Sequence, residues 1–166
     1  MLMTNFLQKR KSVRNFKKDT VPRDSLENIK LLMDELDQEE GEINFSLYEN
    51  GKIVAEGLRG KAGYSGVMIE APHYIALDIT NDKPLNILKG GYCLEKLNTK
   101  IVDLDLDTCW ITVDDVDAET KKAIFGENGI GIDYLIAIGY GQKKKLFDPE
   151  VTSSRLNVDE IVFADT

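Results

Sequence analysis

Residues 90–113 constrain the fold more than any other part of this sequence. Residues 108–113 are β-branched, aromatic and apolar, which predicts a buried strand. Residues 105–107 form the turn that precedes it. Before the turn, apolar side chains recur at steps of three and four residues, which predicts one long helix with a broad apolar surface. Its members are Leu85, Leu88, Tyr92, Leu94, Leu97, Ile101 and Leu104. A core helix and a core strand explain this stretch when it is taken alone.

The other apolar runs predict an α+β fold with a mainly antiparallel sheet flanked by helices. Residues 71–77 and 134–140 are near-continuous apolar runs that are typical of buried strands. Residues 45–48 and 53–55 flank Asn50-Gly51, which predicts a β-hairpin with a tight turn. Stripes with helical spacing predict helices ending near Gly41 and over residues 117–125.

Composition limits the class of protein. A chain of 166 residues with 42% hydrophobic residues is expected to form a single domain over 1–166. Its net charge of −8 argues against nucleic-acid binding. The cysteines, Cys93 and Cys109, form no disulfide framework and no metal motif. Neither a signal peptide nor a membrane span is evident, so we expect a cytoplasmic protein that makes no membrane contact.

One segment near the N-terminus is basic although the chain as a whole is acidic. Residues 9–18 carry six of the 21 basic residues. Arginine and serine are suitable donors to a phosphate group, so the run is a candidate site for a small anion. A solvated basic turn is the alternative. Val13 and Phe16 alternate with the charges, which favours a segment that is partly held against the core.

Two further features, a glycine-rich loop and the single histidine, each allow two interpretations. The loop over residues 57–66 contains four glycines and is either a border of a ligand site or an exposed connector. His73 is the only histidine and has no metal-binding or acid–base partner in its pattern. It is therefore interpreted as structural or interfacial.

The order of these landmarks resembles that of the FMN-dependent nitroreductase family. The resemblance rests on residues 10–16 (RKSVRNF) with Val21-Pro22 behind them, on Ala71-Pro72, and on the helix that contains Gly91-Tyr92. It continues through Thr108-Cys109-Trp110, residues 135–140 and Ser154-Arg155-Leu156. Together these pieces cover nearly the whole chain.

The resemblance implies a homodimer with a long interface helix and one FMN per subunit interface. By its positions, Arg10, Lys11, Ser12 and Arg14 would hold the FMN phosphate and the pyrimidine edge of the ring. Arg155 would reach the phosphate from the C-terminal side, with Ser153 beside it. The backbone of Thr108, Cys109 and Trp110 would run along the isoalloxazine, and one of its N–H groups would approach flavin N5.

The implied function is an oxidoreductase that passes hydride from NADH or NADPH through flavin N5 to a small acceptor, such as a nitroaromatic or a quinone. The flavin would do the chemistry, so no catalytic side chain and no metal is expected. Asp105-Leu106-Asp107 replaces the family's usual Gly-Leu-Gly, and its carboxylates would disfavour a reduced, anionic flavin. A flavin-binding or dimerisation module with little turnover is therefore the alternative.

Overall fold

The computed structural model describes residues 10–63, 66–81 and 83–142. Four strands form one antiparallel sheet in the order β1-β2-β4-β3. They are β1 (Ile43–Tyr48), β2 (His73–Ile79), β3 (Asp107–Thr112) and β4 (Ile132–Gly139). The helices are α1 (Arg23–Glu40), α2 (Gly51–Gly57), α3 (Pro84–Asp103) and α4 (Ala118–Phe125), and a 3-10 turn spans Glu127–Gly131. The predicted mainly antiparallel α+β fold is confirmed.

Helices cover both faces of the sheet. One face packs against α1 and α3, where Ile29, Leu36, Leu97 and Ile101 are fully enclosed. The other face packs against α2, α4 and the chain leading into β2. The central strands β2 and β4 are therefore buried on both sides, which explains why their sequences are continuously apolar.

Helix α3 is the helix that the three- and four-residue spacing of apolar side chains predicted. Leu94, Leu97 and Ile101 face the sheet, while Leu85, Ile87, Leu88 and Tyr92 remain exposed. The apolar surface of α3 is thus wider than the part of it that packs into the core of the subunit. Within the described ranges, no helix is long and apolar enough to cross a membrane.

The predicted hairpin at Asn50-Gly51 is wrong. The chain leaves β1 and enters helix α2 at Gly51, so residues 53–55 are helical. A type I′ turn needs a positive φ at both central residues, whereas Asn50 has φ −93° and Gly51 is not among the positive-φ glycines. Gly51 is required for another reason: a β-carbon there would collide with the backbone of Ala71 and Pro72.

Candidate functional site

The N-terminal basic run lies along the outer edge of β3. Ser12 pairs with Thr108 in a parallel bridge, and the Val13 N–H donates to the Thr108 carbonyl at 2.9 Å. Val13 packs partly against the core, whereas Ser12 and Arg14 are exposed. Arg10 is only partly exposed and lies beside Glu95 of α3.

The run then crosses the end of β4. Phe16 is buried and bridges Gly141, while the Lys17 N–H donates to the Tyr140 carbonyl at 2.7 Å. The Gln142 N–H donates to the Asn15 carbonyl at 2.9 Å. These bonds confirm that the basic segment is held against the core.

A polar network from β3 through α3 reaches Arg10. The Thr108 hydroxyl donates to Asn98 Oδ1 at 2.8 Å, and Asn98 Nδ2 donates to Glu95 Oε2 at 3.1 Å. The other Glu95 oxygen lies 3.0 Å from Arg10 Nε. That contact is an ion pair without hydrogen-bond geometry, because the buried Nε–H has no acceptor among the residues that the structure describes. Glu95 thus orients Arg10 but can use only part of its hydrogen-bonding capacity, because the guanidinium has five N–H donors in all.

The three residues predicted on β3 face different ways. Cys109 is only 4% exposed and packs in the core, where burial raises the pKa of its thiol and the Arg14 charge partly opposes this. Its side chain is therefore inside the protein and neutral. Trp110 is 40% exposed. Because the Thr108 carbonyl points away from β4, alternation directs the Trp110 N–H to the same open edge.

Arg14 faces a cavity of about 1200 Å³ that the sequence did not predict. Residues 14–18 border one side, the start of α2 borders another, and residues 67–72 form an apolar wall. Five basic and three acidic side chains line the cavity, so its net charge is +2 in a chain of net charge −8. The acids are Glu49, Glu56 and Glu70, which pair with Lys30, Lys52 and Arg59.

Tyr74 holds the apolar wall of this cavity in place. Its hydroxyl donates to the Ile69 carbonyl at 2.6 Å and accepts from the Ala71 N–H at 3.0 Å. Burial raises the pKa of Tyr74 to about 12, so the hydroxyl keeps its proton. The loop over residues 57–66 touches the cavity through Arg59, and its glycines were the one sequence signal that pointed to this region.

Asp105 and Asp107 differ in what they contact. Asp105 is exposed and is the only non-glycine residue with a positive φ, 55°, in the described part of the chain. Asp107 is half-buried; it accepts from the Gly141 N–H at 2.8 Å and lies 3.8 Å from Lys11 Nζ.

Ser153 and Arg155, the predicted C-terminal contacts, lie outside the described residues.

His73 has a structural role, as predicted. Its Nε2 accepts from the Val21 N–H at 3.1 Å, so Nδ1 carries the proton and donates to the Glu49 carbonyl at 2.7 Å. The ring thereby connects β2 to the end of the basic run and to the cavity border. Burial lowers the pKa of His73, an effect that Glu49 only partly offsets.

This arrangement predicts an acid-sensitive fold. A lowered pKa in the folded state means that His73 contributes stability that is fully present above its usual pKa of 6.5 and is lost as the pH falls from that value through the lower pKa of the folded state. We expect the melting temperature to drop between about pH 7.5 and pH 5, and to drop less in a His73→Gln variant. Equal pH dependence of the two proteins in thermal unfolding would contradict this.

Several solved structures with the same fold are described as nitroreductases. An FMN-dependent nitroreductase from Clostridium difficile R20291 aligns with a TM-score of 0.75 and 19% identity over 99% of this chain and 100% of its own. A Desulfovibrio desulfuricans protein described as a "putative nitroreductase in complex with fmn" aligns with a TM-score of 0.75 and 13% identity over 100% and 98%. NfnB from Mycobacterium smegmatis, an FMN-dependent nitroreductase in complex with NADPH, has a TM-score of 0.74 and 15% identity over 98% of both chains.

The match to a family model is more specific than these structural likenesses. The model described as "Putative TM nitroreductase" matches residues 3–165, nearly the whole chain. The chain therefore belongs to the nitroreductase family, a family of oxidoreductases. No curated protein sequence matches it.

Proposed function

We propose that this protein is an FMN-dependent oxidoreductase that passes hydride from NADH or NADPH to a small acceptor, such as a nitroaromatic or a quinone. The observation that carries the proposal is the position of the basic run along the edge of β3. The run starts with Arg10 beside α3 and reaches, at Arg14, a cavity with a net positive charge.

The residues present fit an FMN molecule whose phosphate lies beside Arg10 and Ser12 and whose ring extends toward Arg14. Arg10 and Ser12 would hold the phosphate, because a guanidinium and a hydroxyl both donate to phosphate oxygens. Lys11 would add positive charge nearby. The outward backbone edge of β3 at Trp110 would border the isoalloxazine. Arg155 and Ser153 are proposed as further phosphate contacts on the strength of the resemblance alone.

The cavity supplies space and charge at the other end of the run. Ligand pockets usually measure about 300–1000 Å³, so about 1200 Å³ leaves room for a flat ring and a second molecule. The apolar wall over residues 67–72 would face the ring. Arg14, at the mouth of the cavity, would stabilise negative charge at the pyrimidine edge without moving during the reaction.

When bound, FMN would supply the chemistry, by accepting hydride at N5 from the nicotinamide and passing it to the acceptor. The protein's own residues would bind, orient and exclude water. We propose no acid–base side chain, since His73 is committed to Val21 and Glu49 and the Cys109 thiol is buried.

The purified protein is therefore expected to be yellow, with the absorbance bands of oxidised flavin. Adding NADH or NADPH without oxygen should bleach those bands, because the nicotinamide reduces the flavin. The matched control is the same protein with oxidised NAD(P), which cannot donate hydride. A colourless protein that fails to take up added FMN would contradict the proposal.

A flavin-binding module with little turnover is the second candidate. The observation that favours it is a pair of carboxylates at the start of β3: Asp105, with a left-handed backbone in the preceding turn, and Asp107, the first residue of the strand. Negative charge near the flavin would oppose its reduction. A protein that retains FMN but is not bleached by NADH or NADPH would establish this second function.

We also propose a homodimer built on α3. Four large apolar residues of this helix are exposed although the rest of its stripe is buried: Leu85, Ile87, Leu88 and Tyr92. A surface of this kind is typical of a protein–protein contact. The cytoplasmic location, the nicotinamide preference and the identity of the acceptor stay predictions.

A further inference from the structure

Asp107 lies where three parts of the chain meet. We name this place the Asp107 junction and define it by Lys11, Val13, Asp107 and Gly141. The carboxylate accepts from the Gly141 N–H at 2.8 Å on one side and lies 3.8 Å from Lys11 Nζ on the other. Next to it, the Val13 N–H donates to the Thr108 carbonyl.

The junction is tightly packed around Gly141. A β-carbon on Gly141 would lie 2.7 Å from the Asp107 Oδ2 atom and 3.0 Å from Val13 Cγ1. The first distance is too short for an ordinary contact and the second is tight, so a side chain at position 141 would push on both the Asp107 carboxylate and Val13 of the basic run. The absence of a side chain at Gly141 therefore lets the carboxylate approach the Gly141 N–H.

We propose that Asp107 is a positioning residue for the phosphate end of the cofactor site, an inference that rests on the proposed function. Asp107 does not touch the ligand. It fixes the register of residues 10–14 against β3 and also fixes the chain where it leaves β4. Arg10 and Ser12 on that run are the proposed phosphate donors, so their spacing depends on the junction.

An opposing interpretation treats Asp107 only as a negative charge. A carboxylate near a phosphate dianion repels it, so removing the charge would tighten FMN binding. The two interpretations predict opposite signs, which makes the sign of the change decisive. Asp105 is the matched control, because it is an exposed aspartate of the same turn.

The test compares Asp107→Ala, Asp107→Asn and Asp105→Asn by titration with FMN and with riboflavin, which lacks the phosphate. We expect Asp107→Ala to weaken FMN binding at least roughly tenfold and to leave riboflavin binding nearly unchanged. Asp107→Asn should fall between, because its amide oxygen still accepts from Gly141. Asp105→Asn should bind FMN as tightly as the native protein or more tightly.

A second readout needs no cofactor. In the flavin-free protein, amide hydrogen exchange at Val13 and Gly141 should be faster in Asp107→Ala than in Asp105→Asn. Equal or tighter FMN binding by Asp107→Ala, or an equal loss of riboflavin, would overturn the inference alone. A native protein that binds neither flavin would overturn the proposed function, and the inference with it.

Discussion

Replacing Arg14 with alanine is expected to weaken FMN binding by roughly 10- to 100-fold. A hydrogen bond to a charged group contributes about 1.5–3 kcal/mol, and each 1.4 kcal/mol is about a tenfold change in affinity. Arg14 is an exposed residue of the basic run and borders the cavity. Fluorescence titration of the flavin-free protein with FMN measures the change.

Arg23→Ala is the matched control for this prediction. Its side chain is 90% exposed at the start of α1, does not line the cavity that Arg14 borders, and pairs with Glu27 at 2.9 Å. Exposed pairs of this kind contribute little, so the control should bind FMN as the native protein does. Equal dissociation constants for Arg14→Ala, Arg23→Ala and the native protein would show that the basic run is a solvated turn.

Introducing a charge on the exposed face of α3 is expected to separate the homodimer. Leu88 is 71% exposed in the subunit. In a two-fold dimer each substitution occurs twice, and burying one leucine contributes about 1.5–3 kcal/mol. Leu88→Asp should therefore raise the dimer dissociation constant by roughly 10²- to 10⁴-fold. Sedimentation at micromolar concentration would then give a monomer mass for the variant and a dimer mass for the native protein.

Leu31→Asp makes the same chemical change elsewhere. Leu31 is 62% exposed on α1 and lies outside the α3 stripe, so this variant should remain dimeric. Both leucines are exposed, so neither substitution should lower the melting temperature of the subunit by much. A native protein with a monomer mass would refute the dimer, and monomer masses for both variants would show that α3 has no special role.

Local patterns were sufficient for most elements of the fold. The stripe of α1, the stepping of α3 and the apolar runs of β2 and β4 each predicted the element that the structure contains. Helix and strand periods are properties of neighbouring residues, so a sequence displays them directly. The N-cap of α4 is equally local: Asp117 accepts from the Thr120 N–H at 2.8 Å, and Gly126 ends the helix.

The Asn50-Gly51 hairpin shows where local reasoning fails. The same dipeptide suits a tight turn in isolation, yet Gly51 donates its N–H to the Pro72 carbonyl at 2.9 Å and starts a helix. The contact that decides between these outcomes comes from a distant part of the chain. No spacing within residues 45–55 contains that information.

For the candidate site, the sequence by itself determined which residues are suitable donors to an anion and that Val13 and Phe16 alternate with the charges. Only the tertiary structure decided where that run lies, which is along β3 and across the end of β4. It also decided that Arg14 faces a cavity walled by residues 67–72, and that the Asp107 carboxylate is held by Gly141 and Lys11. The physical reason is that these contacts join residues far apart in the chain, such as Phe16 and Gln142, and form only when the sheet brings them together.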